Sequence, residues 1–130
     1  MKSRQAGFTM IELIVVIVIL GILAATALPK FVDMRAEAAQ AALDGVAGGA
    51  ASAMNVNYAG CALKNNVVTA NKCVKVSTCA NTASLLQGGL PAGYTLGGVD
   101  PGTTNGATST CTVTNADSTS ASFVGIAAGN

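Results

Sequence analysis

The chain has 130 residues, 51% of them apolar and only 10% charged, with a formal net charge of +1 and no histidine. That length has room for one small core and an extension, not for two independent domains. A near-neutral chain without a basic tract offers no electrostatic footprint for nucleic acid. The missing histidine removes the commonest general base and metal ligand, and with it any Ser-His-Asp arrangement.

Residues 1–7, MKSRQAG, form a short basic leader with Lys2 and Arg4, ending at Gly7. An apolar run follows from Phe8 to Leu28, 21 residues, long enough to cross about 30 Å of hydrocarbon as a helix. Lys2 and Arg4 predict a cytoplasmic leader, with everything after Pro29 on the far side. Glu12 is the one charge inside the run, and a carboxylate in hydrocarbon is costly unless it has a partner and a role. An ordinary secretory signal is cut after its apolar segment, at an A-x-A-like site, and Ala24-Ala25-Thr26-Ala27 has that look. Glu12 within the run and the Gly7–Phe8 junction ahead of it favour a cut before the run, which then stays in the product.

The helix is predicted to continue through 29–58 as an amphipathic half. Phe31, Met34 or Arg35, Ala38, Leu43, Val46, Ala50, Met54 and Tyr58 fall near helical spacing, with Asp33, Glu37, Gln40 and Asp44 turned elsewhere. From Phe8 to Tyr58 such a helix would be roughly 75 Å long at about 1.5 Å per residue. A globule of this size does not hide a rod of that length, so its first half belongs in a membrane or against other copies. Pro29 lacks an N–H and is expected to kink or loosen the helix, with Gly21 a second weak point. Gly45, Gly48 and Gly49 each weaken it by about 1 kcal/mol relative to alanine. Gly48, Gly49 and the alanines around them suit close approach, more readily of the subunit's own sheet than of a neighbouring helix.

Residues 59–130 read as a small domain. Val67–Thr69 and Cys73–Val76 have strand character, Ala83–Leu86 that of a helical turn, and Gly88–Tyr94 and Gly97–Gly106 that of turns. Ser109–Val113 and Ser120–Ile126 alternate around Asn115-Ala116-Asp117-Ser118, the signature of a hairpin. Cys61, Cys73, Cys79 and Cys111 all lie beyond the apolar run, an even number that reads as two disulfides in an oxidising compartment. Spacing allows three connectivities. Cys61–Cys73 with Cys79–Cys111 is favoured, because sequence neighbours close loops without entanglement. No CxxC pair is present, which argues against zinc and against a thioredoxin-like site. Asp100 and Asp117 sit in turn-rich segments as solvated turn residues, and the glycine-rich stretches lack the lysine of a phosphate loop. No catalytic set, cofactor site or metal site emerges, so the chain does not read as an enzyme.

Gly7 followed by Phe8, the TxIEL pattern of Thr9, Ile11, Glu12 and Leu13, then Gly21 and Pro29, resemble the N-terminus of type IV prepilins and the related pseudopilins. Stretches such as ILGILAATALPKF are similar to the mannose-sensitive haemagglutinin type of pilin. The detailed resemblance covers about the first quarter of the chain. It implies an α+β pilin fold: a long N-terminal helix packed on a small antiparallel sheet domain stapled by two disulfides. It further implies that prepilin peptidase cuts after Gly7 and methylates the new Phe8 amine. In such proteins Glu12 would neutralise the Phe8 amine of a neighbouring copy and set its register, while pairing with its own Phe8 four residues back remains an equal reading. The segment from Gly21 to Pro29 would extend when the subunit enters a filament.

On this resemblance the chain is a structural subunit, more in keeping with a major than a minor pilin. It would sit in the bacterial inner membrane as a single-pass precursor and polymerise with copies of itself into an external filament for adhesion or motility. Its partners would be the peptidase, the assembly machinery and its own copies. The alternatives are a type II secretion pseudopilin, and a periplasmic domain on a membrane anchor that never polymerises. The two expected disulfides and few acidic residues argue against the first. The second would keep MKSRQAG and show no self-association.

Overall fold

Alanine richness and helical spacing of apolar residues make one long helix, α1, spanning Met10–Ala62. The structure, a computed structural model, describes residues 7–130, with the backbone alone at Val32 and Asp33. Lys2, Arg4 and the rest of the leader up to Ala6 lie outside the described residues. After α1 come a 3-10 helix at Cys79–Ser84 and three strands: β1, Thr95–Gly98; β2, Thr108–Thr114; β3, Ser120–Ile126. The strands form one antiparallel sheet in the order β1-β2-β3. The fold is therefore α+β, a long helix with a small antiparallel sheet and two disulfides. By internal contacts the chain divides into two units, Met1–Ala38 and Ala39–Asn130.

Helix α1 departs from expectation at three places. It is unbroken at Gly21 and Pro29. Gly21 only lowers propensity, and Pro29 removes one backbone bond, that to the carbonyl four residues back, which a helix of 53 residues tolerates. The helix also outlasts Tyr58 and stops where Asn65 and Asn66 adopt φ of 52° and 59°. There the Asn66 N–H donates to the Cys61 carbonyl at 2.8 Å and the Asn65 N–H to that of Ala62 at 3.2 Å. This is a left-handed C-terminal cap built from asparagines, which tolerate that conformation better than other side chains with a Cβ. Third, the buried stripe of the second unit is Leu43, Ala47, Ala50, Met54, Asn57 and Cys61, at alternating intervals of four and three. Val46 lies at its margin, Tyr58 is exposed, and in the first unit Phe31 and Met34 are 66% and 60% exposed.

Against that stripe pack Val76, Cys79, Cys111, Val113, Phe123 and Ile126. The predicted hairpin forms, with Cys111 opposite Phe123 and Val113 opposite Ala121, so alternate residues of both strands face inward. Two strand readings are corrected. Val67–Thr69 and Cys73–Val76 make only isolated bridges, Thr69 to Cys73 and Val76 to Ala128, because Asn71 at φ 59° turns the chain between them. Gly97 and Gly98, read as the start of a turn, instead complete β1 beside Thr112 and Cys111. The helical turn read at Ala83–Leu86 begins earlier, at Cys79.

Disulfides join Cys61 to Cys73 and Cys79 to Cys111. Two glycines are required around them. At Gly60 a Cβ would collide with the Lys72 carbonyl, and at Gly125 it would stand 2.5 Å from Cys111 Sγ. Gly45, Gly48 and Gly49 are different. A Cβ at any of them would meet nothing within 4 Å, so the subunit's own sheet does not require these glycines, contrary to the reading preferred above for Gly48 and Gly49.

Candidate functional site

The site begins with the entry into α1. Thr9 and Glu12 stand in the T-x-x-E spacing of a capping box, in which each side chain satisfies a backbone N–H that the first turn leaves without a partner. Thr9 N–H and Thr9 Oγ1 both donate to Glu12 Oε2, at 2.8 Å and 2.7 Å, and the Glu12 N–H points back to Thr9 Oγ1 at 3.4 Å. The carboxylate also lies in the first helical turn, where it complements the positive end of the helix dipole. Glu12 thus has a partner that the sequence reading did not assign it, although the spacing Thr9-Met10-Ile11-Glu12 was there to be read. With Gly7 still attached, Phe8 carries a peptide N–H and no ammonium, so this is the arrangement of an uncut chain.

Phe8, Ile11, Glu12, Val15 and Val16 wall a shallow hollow of about 310 Å³, which places Phe8 and Glu12 on one face of the helix as their spacing predicts. Around it the apolar surface is bare. Every large apolar side chain from Phe8 to Leu28 is at least 47% exposed. Soluble monomers rarely leave contiguous apolar patches beyond a few hundred Å² uncovered. By length and composition this stretch of α1 can cross a membrane.

Between Gly21 and Pro29 the helix carries a third weak point that sequence reasoning missed. Thr26 Oγ1 donates to the carbonyls of Leu23 at 3.0 Å and Ile22 at 3.3 Å. Such back-bonding competes with the helical ladder and favours bending. Pro29 denies the Ala25 carbonyl its bond one step further on. Gly21, Thr26 and Pro29 each weaken the helical ladder within this stretch.

In the second unit Asn57 is the residue that apolar periodicity did not find. Only 7% exposed, it accepts from the Val74 N–H at 2.8 Å and donates to the Val74 carbonyl at 2.9 Å. It thereby fastens the loop closed by Cys61 and Cys73 to the end of α1. Among the described residues no cysteine is free, and no three His, Cys, Asp or Glu side chains gather as a metal set.

Residues 2–28 match the family described as "Prokaryotic N-terminal methylation motif". The chain is 38% identical over 101 residues to the type IV narrow pilus major component PilA5 of Thermus thermophilus, covering 78% of this chain and 77% of that protein. The chain belongs to the type IV pilin family. This pilin is also 45% identical over 58 residues to the fimbrial protein EcpC of Eikenella corrodens. That match spans 45% of this chain and 38% of that protein. With the type IV major fimbrial protein FimA of Dichelobacter nodosus it shares 55% identity over 42 residues, 31% of this chain and 26% of that protein. No solved structure matches. The pilin is a structural subunit of a pilus and not an enzyme.

Proposed function

We propose that this pilin is made as a single-pass inner-membrane precursor, cut by prepilin peptidase between Gly7 and Phe8 and methylated on the new Phe8 amine. It then polymerises through residues 8–28 into a surface filament serving adhesion or motility. The division of labour is leader 1–7, membrane and filament-core helix 8–28, amphipathic half 29–58 and displayed disulfide-bonded domain 59–130. The observation that carries this reading is the bare apolar run with one carboxylate, Glu12, held at its start by Thr9.

The chemistry follows from that arrangement. Cleavage turns the Phe8 peptide N–H into an ammonium beside a carboxylate already presented at the helix end. In a bundle of apolar helices, an ammonium and a carboxylate from different copies attract far more strongly than in water, although desolvation offsets part of the gain. Such a pair acts as a registry device. Equal head-to-tail contacts between copies close no ring and so extend as an open helix. The weak segment from Gly21 to Pro29 supplies the extension needed when the helix leaves the bilayer for the filament.

Intact mass of this protein in material sheared from cells tests the reading. The expected result is loss of residues 1–7, gain of one methyl group and loss of four hydrogens at the two disulfides. Processed protein confined to the envelope favours a secretion pseudopilin, and a chain still starting at Met1 contradicts cleavage altogether.

A further inference from the structure

Charge in the second unit is segregated. Between Asp44 and Asp100 the only charged residues are Lys64, Lys72 and Lys75, and after Asp100 the only one is Asp117. Asp44 accepts a hydrogen bond from Gln40 Nε2 at 2.9 Å, and Asp100 accepts one from the Cys79 N–H at 2.8 Å. Asp117 takes part only through its backbone N–H, which donates to Asn115 Oδ1 at 3.1 Å. Its turn is nevertheless firmly built. Asn115 Oδ1 also accepts from the Thr119 N–H at 2.9 Å, and the Asn115 N–H donates to the Thr119 carbonyl at 2.9 Å. A fixed turn of small polar residues therefore presents one unpartnered carboxylate to solvent.

One of these lysines, Lys72, borders a receptacle. An open groove of about 550 Å³ runs between α1, at Gly49, Ser52 and Val56, and the loop residues Asn71 and Lys72, with Leu85 on its far wall. Gly49 leaves its floor open, since no atom lies within 4 Å of where a Cβ would be. Lys72 and the turn belong to different ends of the unit. The Lys72 carbonyl lies against Gly60 near the end of α1, whereas β3 leaves the turn at Ser120 beside Gln40 and Asp44. Between those helix positions lie about 25–30 Å of axis at about 1.5 Å per residue. One end is basic with a groove; the other is acidic with a protruding turn. Copies related head to tail bring unlike ends together, and a heterologous contact of that kind extends indefinitely.

We propose that in the filament the groove between α1 and the Cys61–Cys73 loop of one copy seats the β2–β3 turn of another copy of this chain, pairing Asp117 with Lys72. The proposal rests on the filament reading above. A single exposed pair is weak, but this one recurs at every subunit and opposes misregistered docking, since like-charge contacts are disfavoured.

Sheared filaments of the unaltered chain are treated with a water-soluble carbodiimide, which joins a carboxylate to an amine in contact with loss of water. The expected result is a ladder of dimers and larger species whose digests contain the Asp117 peptide joined to the Lys72 peptide. In cells, Asp117→Lys should lower filament recovery by roughly fivefold at an unchanged envelope pool, and Asp117→Lys with Lys72→Asp should restore it. Intact filaments in which Asp117 is unlinked, is linked to another lysine, or is linked to Lys72 only within monomers overturn the proposal alone. Failure to recover any filament from the unaltered chain overturns the filament reading with it.

Discussion

The two units solve opposite problems with the same helix. In Ala39–Asn130, α1 offers a stripe of Leu43, Ala47, Ala50 and Met54, and the sheet covers it until each is at most 5% exposed. In Met1–Ala38 the larger apolar side chains of Phe8 to Leu28 are each at least 47% exposed among the described residues. A soluble domain would place its largest hydrophobes in its own core. Here the core is built from alanine, cysteine and a few larger residues such as Leu43, Met54 and Val113, while most of the isoleucines, leucines and valines lie exposed between Ile11 and Leu28. Stability and assembly are thereby separated along the sequence, and substitutions should report one or the other.

The largest expected effect is all-or-none. Gly7→Val should block processing, so that the mass of the envelope protein stays that of the uncut chain and no filament is sheared off. In the second unit the disulfides come next. Chain entropy assigns about 4 kcal/mol to Cys79–Cys111, with a separation of 32 residues, and about 3 kcal/mol to Cys61–Cys73, with 12. Thermal unfolding of the detergent-solubilised chain should therefore fall further for the Cys79→Ser, Cys111→Ser pair than for Cys61→Ser, Cys73→Ser. Equal losses would break that ranking.

Met54→Ala and Ile17→Ala sharpen the contrast between units most simply. Met54 is fully buried, and its truncation should cost about 2–5 kcal/mol in the same melt. Ile17 is 59% exposed, and its truncation should change the melt by less than about 0.5 kcal/mol while reducing filament recovery. The smallest effect is expected at Gly45, where an added Cβ meets nothing within 4 Å. Gly45→Ala should stabilise the helix by up to about 1 kcal/mol. A drop in filament yield alongside that gain would mean that a neighbouring copy approaches this face closely.

The parts of the molecule legible in the sequence are those with strong local periodicity. The long helix was readable from its alanine-rich, apolar pattern, and the hairpin from its alternation around Asn115–Ser118. Several misses in the second unit share one cause: a tertiary partner overrode the local signal. Tyr58 seemed a fitting last residue, yet the stripe turns by one position to include Asn57, a polar residue that belongs there because Val74 offers it a backbone donor and acceptor. Strand β1 is Thr-Leu-Gly-Gly, and glycines read as turn until β2 is beside them. Gly60 and Gly125 reveal their roles only against the Lys72 carbonyl and the Cys111 sulfur. At the site, the shared face of Phe8 and Glu12 was legible from their spacing, but the cap that Glu12 makes with Thr9 is a local signal overlooked in favour of a charge partner, and Thr26 is another, between Gly21 and Pro29.

The most direct test of the account is a helical image reconstruction of sheared filaments. The account predicts that residues 8–28 of successive copies bundle along the filament axis, with Glu12 beside the Phe8 amine of another copy and the backbone between Gly21 and Pro29 extended. A filament whose axis is not built from these helices, or whose subunits lack them, would contradict it.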